Sequence, residues 1–383
     1  MKKQYDVVAY FYWAPPQAIH KYLCFHNTLK KFCNVLTIIG EGEFGITSEQ
    51  FNFFEAKYKD DVVLQPMQEA LETLKNIDYK IAIFSSNGRK GFVDPDGKEP
   101  PALGSRSPGI GKDIQIAKDK GAVTVQISEM ITDFYYAGAD VASLTSPSMR
   151  RLHVEPNYYG THHMYQWRPF DAKPEPKYIY SNCLLWDNVD DCLPPMSKEQ
   201  FCTKYGLDAS KDIFLYLPSS PSAVVHGTAK KAYIKASELD NVVIKLHPKE
   251  YCRLASGRLN HRWSHEICGI ENTPILDPLD THWAYKYADL AMTNQSSISI
   301  EMSLYDTPCL YIHPPFIPWS NIFFKFADKV SLGEMDSYIK NKQYKNKIEN
   351  LDEIHDIILA DRKKTSIQIL SEQIKEMLND NLR

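Results

Sequence analysis

Ala288-Asp289-Leu-Ala-Met-Thr293-Asn294-Gln295-Ser296-Ser297-Ile-Ser-Ile-Glu301 is the stretch whose reading decides the fold. Leu290 to Met292 is a short apolar run of strand length. A turn rich in small polar residues follows, and Ser296 to Tyr305 reads as a helix stopped before Pro308. A strand that passes through a polar turn straight into a helix is half of a βαβ unit, and such units build parallel sheets. Two adjacent serines at the helix start bring hydroxyls, backbone N–H groups and the positive end of a helix dipole to one spot, which suits a phosphate. Plain N-capping by the same serines accounts for the pattern equally well. Glu301, about a turn and a half in from Ser296, is within reach of a ribose hydroxyl.

The pattern extends in both directions. Upstream, Asn241 to Leu246 reads as a strand and leads into His247-Pro248-Lys249-Glu250. With 12 histidines and 23 prolines in 383 residues, a His-Pro dipeptide arises by chance about once. A second one stands at His313-Pro314. Position carries the argument, because His247 follows the C-terminal end of a strand, where open α/β sheets place ligand-contacting loops. With Lys249 beside it, His247 can donate to a diphosphate oxygen and stabilise the charge that develops as a nucleotide leaves. A structural histidine closing the strand is the alternative. Further upstream, Ile213 to Leu217 is a strand running into Pro218-Ser219-Ser220-Pro-Ser222, which would form the opposite wall of the same crevice or a simple turn. Thr228 to Glu238 and Thr281 to Ala288 read as helices, and Cys309 to Ile312 as a strand. Ser197, with Gln200 three residues on, carries a capping-box signature at the start of this half.

The first 150 residues repeat the rhythm. Asp6 to Trp13, Asn34 to Ile39, Tyr79 to Phe84 and Ala122 to Ile127 read as strands. Between them Ile19 to Phe32, Met67 to Asn76 and Lys112 to Lys120 read as helices. Gly91 to Gly111 is a long Gly/Pro/Ser-rich loop. From Pro147 to Pro195 prolines and aromatic residues alternate irregularly, which suggests the end of a domain and a linker. Asn350 to Leu382 has apolar residues near helical spacing and predicts one or two packing helices. The expected organisation is a domain over 1–195, a second over 196–345 and C-terminal helices over 346–383.

Composition narrows the classes. At 43% hydrophobic and 24% charged residues, the chain can bury more than one core. Its 44 basic and 48 acidic residues leave a net charge of -4 and no basic tract, so nucleic acid is not an expected partner. No secretory h-region and no apolar run of spanning length stands out, so the expected location is cytoplasmic with any membrane contact peripheral. The Lys340 to Lys347 run reads as a solvated face in preference to a lipid-facing one. Eight cysteines without a Cys-x-x-Cys pair suggest buried free thiols in a reducing compartment. Cys252, His261, His265 and Cys268 have some metal-ligand spacing, but a polar loop or helix explains them better than zinc does.

The order of motifs in residues 197 to 315 resembles the CDP-glycerol glycerophosphotransferases: a strand with a Pro-Ser loop, Lys-Leu-His-Pro, Ala-Asp-Leu with Thr-Asn-Gln-Ser-Ser-x-x-x-Glu, then Thr-Pro-Cys-Leu-Tyr. It is also similar to bacterial sialyltransferases and Kdo transferases with His-Pro and Ser-Ser motifs. The resemblance implies a GT-B-like fold, two Rossmann-like domains facing across a cleft. It implies that His247 and the Ser296-Ser297 helix start bind the cytidine phosphates of a nucleotide-activated donor, CDP- or CMP-linked; Pro248, Lys249, Ser219, Ser220, Thr293, Asn294 and Glu301 complete the expected donor site. A glycan or polyol-phosphate acceptor would lie against the N-terminal domain, as in the synthesis of a surface polysaccharide or teichoic-acid-like polymer. Neither metal nor other cofactor is required by this reading.

Two departures matter. Where the family reads Thr-Asp-Tyr-Ser-Ser, this chain has Thr293-Asn294-Gln295-Ser-Ser, losing a carboxylate and an aromatic ring. The family's N-terminal His-Gly is missing, and Ser128-Glu129-Met130 follows the strand ending at Ile127. Glu129 is then a candidate base, with a rival in Glu43 of Gly40-Glu41-Gly42-Glu43-Phe44-Gly45, although acidic surface turns explain the latter as well. The alternatives are a UDP-sugar 2-epimerase of the same fold and a catalytically silent protein that binds a nucleotide or glycan.

Overall fold

The computed structural model describes residues 3–11, 18–41, 61–85, 111–128, 138–154, 176–187, 190, 193–218, 227–247, 268–270, 272–294, 296, 298–312, 327–345 and 351–380. The chain forms two compact units. The first gathers residues 1–156, 164–189 and 357–383, the second 157–163 and 190–356.

The first unit is built on seven parallel strands: β1 (Gln4–Phe11), β2 (Val35–Glu41), β3 (Val62–Pro66), β4 (Asp78–Ser85), β5 (Val123–Ile127), β6 (Val141–Leu144) and β7 (Lys177–Tyr180). Their order is β3-β2-β1-β4-β5-β6-β7. Helices α1 (Ile19–Leu29), α2 (Met67–Asn76), α3 (Lys112–Asp119) and α4 (Pro147–Val154) connect them. A parallel sheet is covered on both faces, which is why β1 buries every residue from Val7 to Phe11. Val8, Tyr10, Leu36, Ile38 and Phe84 pack with Ala70, Leu71 and Leu74 of α2 and Ile114 and Ala117 of α3. On the opposite face Phe11 stacks on Tyr22 of α1 with ring centroids 3.9 Å apart.

The second unit has five parallel strands: β8 (Phe214–Tyr216), β9 (Val242–Ile244), β10 (Leu290–Thr293), β11 (Cys309–Ile312) and β12 (Asp328–Val330). The order is β12-β11-β10-β8-β9. Its helices are α5 (Lys198–Tyr205), α6 (Gly227–Ser237), α7 (Thr281–Tyr287), α8 (Ile298–Ser303) and α9 (Met335–Lys340). Tyr216, Ile244, Met292 and Leu310 share one sheet face with Ala232 and Tyr233 of α6 and Met335 of α9. The capping box at α5 is complete: the Gln200 N–H donates to Ser197 Oγ at 3.2 Å, and the Ser197 N–H to Gln200 Oε1 at 2.8 Å. Gly206, at φ 65°, closes the helix in the left-handed conformation that glycine adopts freely. The tail forms α10 (Leu351–Ile358) and α11 (Ser366–Asp380), and α11 packs against α1.

Several expectations need correction. The stretch 147–195 is not merely irregular, since it holds α4 and the edge strand β7. Pro147 opens the helix, where its missing N–H costs nothing, and the prolines before β7 precede a sheet edge. The helix expected over Ser296 to Tyr305 covers only Ile298–Ser303, and Asp306 at φ 53° ends the following turn. Its dipole is accordingly short. Cysteines 33, 183, 202, 268 and 309 are free, as expected, but Cys24 is disulfide-bonded. Pairing is not readable from spacing, and a disulfide is what an oxidising compartment favours. Lys342 and Lys345 pair with Asp212 at 3.1 and 2.7 Å, the solvated-face behaviour expected of their charged run. Among the described residues no helix is long and apolar enough to cross a membrane.

Candidate functional site

The second sheet has one topological switch point. From β8 the chain moves to β9 on one side, and every later strand lies on the other side, so the connections leaving β8 and β10 diverge. Open α/β sheets bind ligands outside the carboxyl ends of such strands. β8 and β10 are paired from Phe214 and Leu290 to Tyr216 and Met292, and the Leu217 N–H extends the ladder to the Met292 carbonyl at 2.8 Å. Leu217 and Thr293 therefore stand side by side where the two chains part. The Lys245 N–H donates to the Tyr216 carbonyl at 3.0 Å, which carries β9 to the same edge. His247, half-buried, follows two residues later.

Strand alternation sorts the side chains. Ile244, Leu246 and Met292 face the α6–α9 core, so Lys245 and Thr293 face the side covered by α8. Both are buried, Thr293 at 0% exposure and Lys245 at 7%. Thr293 Oγ1 has no hydrogen-bond partner among the described residues. Buried polar atoms are nearly always paired, so this one invites an explanation. Burial lowers the Lys245 ammonium's pKa, while the Glu301 carboxylate on α8 pulls it the other way. Burial first, then the Glu301 charge, pushes the Tyr285 phenol of α7 well above the ordinary range.

The turn between β10 and α8 is pinned from the next strand. The Tyr311 hydroxyl of β11 donates to the Ser296 carbonyl and lies 3.1 Å from Ser299 Oγ. Asn294, 4% exposed, sits in the same turn. Of the residues expected at the donor site, the fold thus brings Thr293, Asn294, Ser296 and Glu301 to one strand end, with His247 following the end of β9, next but one in the sheet. Pro248, Lys249, Ser219, Ser220 and Ser297 lie outside the described residues, as do the candidate bases Glu43 and Glu129. So do Cys252, His261 and His265; among the described residues no cluster of His, Cys, Asp or Glu can hold a metal ion. Lys245, Tyr285 and Tyr311 were missed as site residues. Lys245 alone carried a signal, a lysine inside an otherwise apolar strand.

No protein-family model matches the chain, and no curated protein matches it in sequence. Solved structures do. The wall teichoic acid polymerase TagF, in a variant soaked with CDPG, is similar over 99% of this chain and 89% of its own at 10% identity and a TM-score of 0.55. The S. aureus MnaA–UDP complex is similar over 100% and 97% at 12% identity and 0.54. The UDP-GlcNAc 2-epimerase from Neisseria meningitidis bound to UDP-GlcNAc is similar over 98% and 100% at 10% identity and 0.52. These neighbours are enzymes of nucleotide-activated substrates, and at such identities the likeness speaks to architecture. With its two parallel sheets and this set of neighbours, the chain is an α/β protein of GT-B-like fold.

Proposed function

We propose that this protein is a transferase that takes a glycosyl or polyol-phosphate group from a nucleotide-activated donor, CDP- or CMP-linked, to an acceptor hydroxyl of a surface polymer. The observation that supports it most is the coincidence of the Thr293-Asn294-Gln295-Ser296 turn with the switch point between β8 and β10, one strand from the Lys-Leu-His247 strand end. His247 donates to the departing phosphate with Pro248 and Lys249 alongside. Thr293, Asn294, Ser296, Ser297, Ser219 and Ser220 hold the phosphates, and Glu301 takes a ribose hydroxyl. Glu129 or Glu43 removes the acceptor's proton. In this scheme the phosphate charge is met by the histidine, the lysine and backbone N–H groups.

The test is a release assay with CDP-glycerol, a CMP-sugar and UDP-GlcNAc, each with and without a polyol-phosphate or glycan acceptor. Acceptor-dependent release of CDP, CMP or glycerol-phosphate product supports the transfer reading. The similar UDP-GlcNAc 2-epimerase structure keeps one rival in view, and interconversion of UDP-GlcNAc without acceptor would replace the proposal with that reading. Nucleotide binding without any turnover would make the protein a silent binder.

A further inference from the structure

Three residues end the paired part of the second sheet side by side. Ile244, Tyr216 and Met292 occupy one register row across β9, β8 and β10, and all three face the core shared with α6 and α9. The next residues on these strands are Lys245, Leu217 and Thr293. The Lys245 N–H donates to the Tyr216 carbonyl at 3.0 Å and the Leu217 N–H to the Met292 carbonyl at 2.8 Å, so the row stays in register up to the point where the chains part. Successive side chains alternate, which puts these three on the opposite face, with Lys245 and Thr293 flanking Leu217. Two strand spacings separate the outer pair, about 9–10 Å at the backbone, and the four-carbon stem of a lysine reaches across a single leucine.

The chemistry of this row is incomplete. All three side chains are buried. Among the described residues the Lys245 ammonium has no hydrogen bond and no ion pair, and Thr293 Oγ1 has no hydrogen-bond partner. An ammonium offers three donors and no acceptor, and a hydroxyl offers one donor. Taking a charge and a hydroxyl out of water without partners is unfavourable. One ligand group relieves both if it is anionic and carries several acceptor oxygens. A neutral sugar hydroxyl supplies an acceptor and leaves the charge uncompensated, whereas a phosphate answers the two together, with the lysine as its point charge. Leu217 between them keeps the surroundings apolar, which strengthens such a contact.

We propose that Lys245 and Thr293 form a two-point oxyanion site over Leu217 that takes one phosphate of a nucleoside diphosphate, with Lys245 supplying the positive charge. Assigning that phosphate to a nucleotide rests on the donor-site reading, while the oxyanion site itself rests on the two side chains. The site is unfavourable when empty, so it has a signature that a structural lysine lacks: removing the charge weakens phosphate binding without weakening the fold.

The experiment uses the full chain and two readouts: thermal midpoints with sodium pyrophosphate or acetate at constant ionic strength, and calorimetric Kd values for CDP, UDP, cytidine and uridine. Wild type should be stabilised saturably by pyrophosphate and not by acetate, and should bind a diphosphate about tenfold or more tighter than its nucleoside. Lys245→Met keeps the stem and removes the charge. It should melt no lower than wild type, lose the response to pyrophosphate, and bind the tighter diphosphate about tenfold or more weakly. Thr293→Val should weaken that binding about threefold to tenfold, the factor of a neutral hydrogen bond. Lys211→Met makes the same change of charge at an exposed lysine that pairs with Asp240, and should match wild type in both readouts. Lys245→Gln is measured beside Lys245→Met to separate loss of charge from a change of packing. If a diphosphate binds wild type and both Lys245 variants alike, the oxyanion site is overturned while the donor-site reading stands. If pyrophosphate acts through Lys245 and Thr293 but no nucleotide binds, the donor-site reading falls and the oxyanion site stands. A wild type that responds to neither pyrophosphate nor nucleotide overturns both. Lower midpoints or failure to fold in both Lys245→Met and Lys245→Gln would mark the lysine as a structural group and overturn the proposal.

Discussion

Two buried titratable groups in the first unit give its stability opposite responses to pH. His26 on α1 is 1% exposed, with Nδ1 3.0 Å from Thr37 Oγ1 of β2. Burial, with a smaller push from Lys30, lowers its pKa from 6.5 to about 4, against the pull of Asp61. Asp187 is also buried, and burial raises its carboxyl from 3.8 to about 6, although the N–H groups of Ile367 and Ser366 and the charge of Lys21 oppose the rise. For His26 the unfolded chain binds more protons between pH 4 and 6.5, so its contribution is full above 6.5 and is lost as pH falls towards 4. For Asp187 the folded chain binds more protons between pH 3.8 and 6, so its contribution is full below 3.8 and is lost as pH rises through 6. At 1.36 kcal/mol per pH unit each effect is roughly 3 kcal/mol, and the two nearly cancel in the wild type below pH 6. Removing one exposes the other. His26→Gln should make the first unit more stable at pH 4 than at pH 6 relative to wild type, and Asp187→Asn should do the reverse. The assay is hydrogen exchange by mass spectrometry on peptides from α1, β2 and α11, across a denaturant series at pH 7, 6, 5 and 4. Parallel pH profiles for wild type and both variants would refute the reasoning.

Other outcomes follow from single contacts. Thr293→Val keeps shape and removes an orphan hydroxyl, so it should leave stability unchanged or raise it by about 1–2 kcal/mol in urea melts, while weakening nucleotide binding. Loss of stability with unchanged binding would argue that the hydroxyl serves the fold. Ser197→Ala breaks the capping box of α5 and should cost about 1 kcal/mol in the same melts. Met292, fully buried in the second core, should cost about 2–5 kcal/mol as Met292→Ala, read as a lowered denaturation midpoint of the second unit.

Much of the fold was legible because it rests on local pattern. The bounds of α2 and β11 follow directly from helical spacing and from the run Cys309 to Ile312, and the Ser197 cap from a three-residue signature. What was not legible depends on contacts between segments. β7 has one exposed and three half-buried residues and only makes sense as a strand once β6 is there to pair with it. The helix after Ser296 is shorter than its apolar pattern because the chain turns at Leu304 to Asp306. At the site, Thr293, Asn294, Ser296 and Glu301 stood out because one turn collects them. Tyr285 did not, because its link to Glu301 spans 16 positions and two helices; Tyr311 read as an ordinary strand residue until its hydroxyl was seen to fasten the Ser296 turn. Lys245 lies more than 50 positions from its counter-charge, Glu301.

The central claim is that the switch point of the second sheet holds a nucleotide's phosphates beside His247. Calorimetric titration of CDP, CMP and UDP into wild type and into His247→Ala tests it most directly. The account predicts saturable one-to-one binding of at least one nucleotide, cytidine ahead of uridine, with affinity reduced about tenfold or more in the variant. Absence of binding by wild type, or binding that His247→Ala leaves untouched, would contradict it.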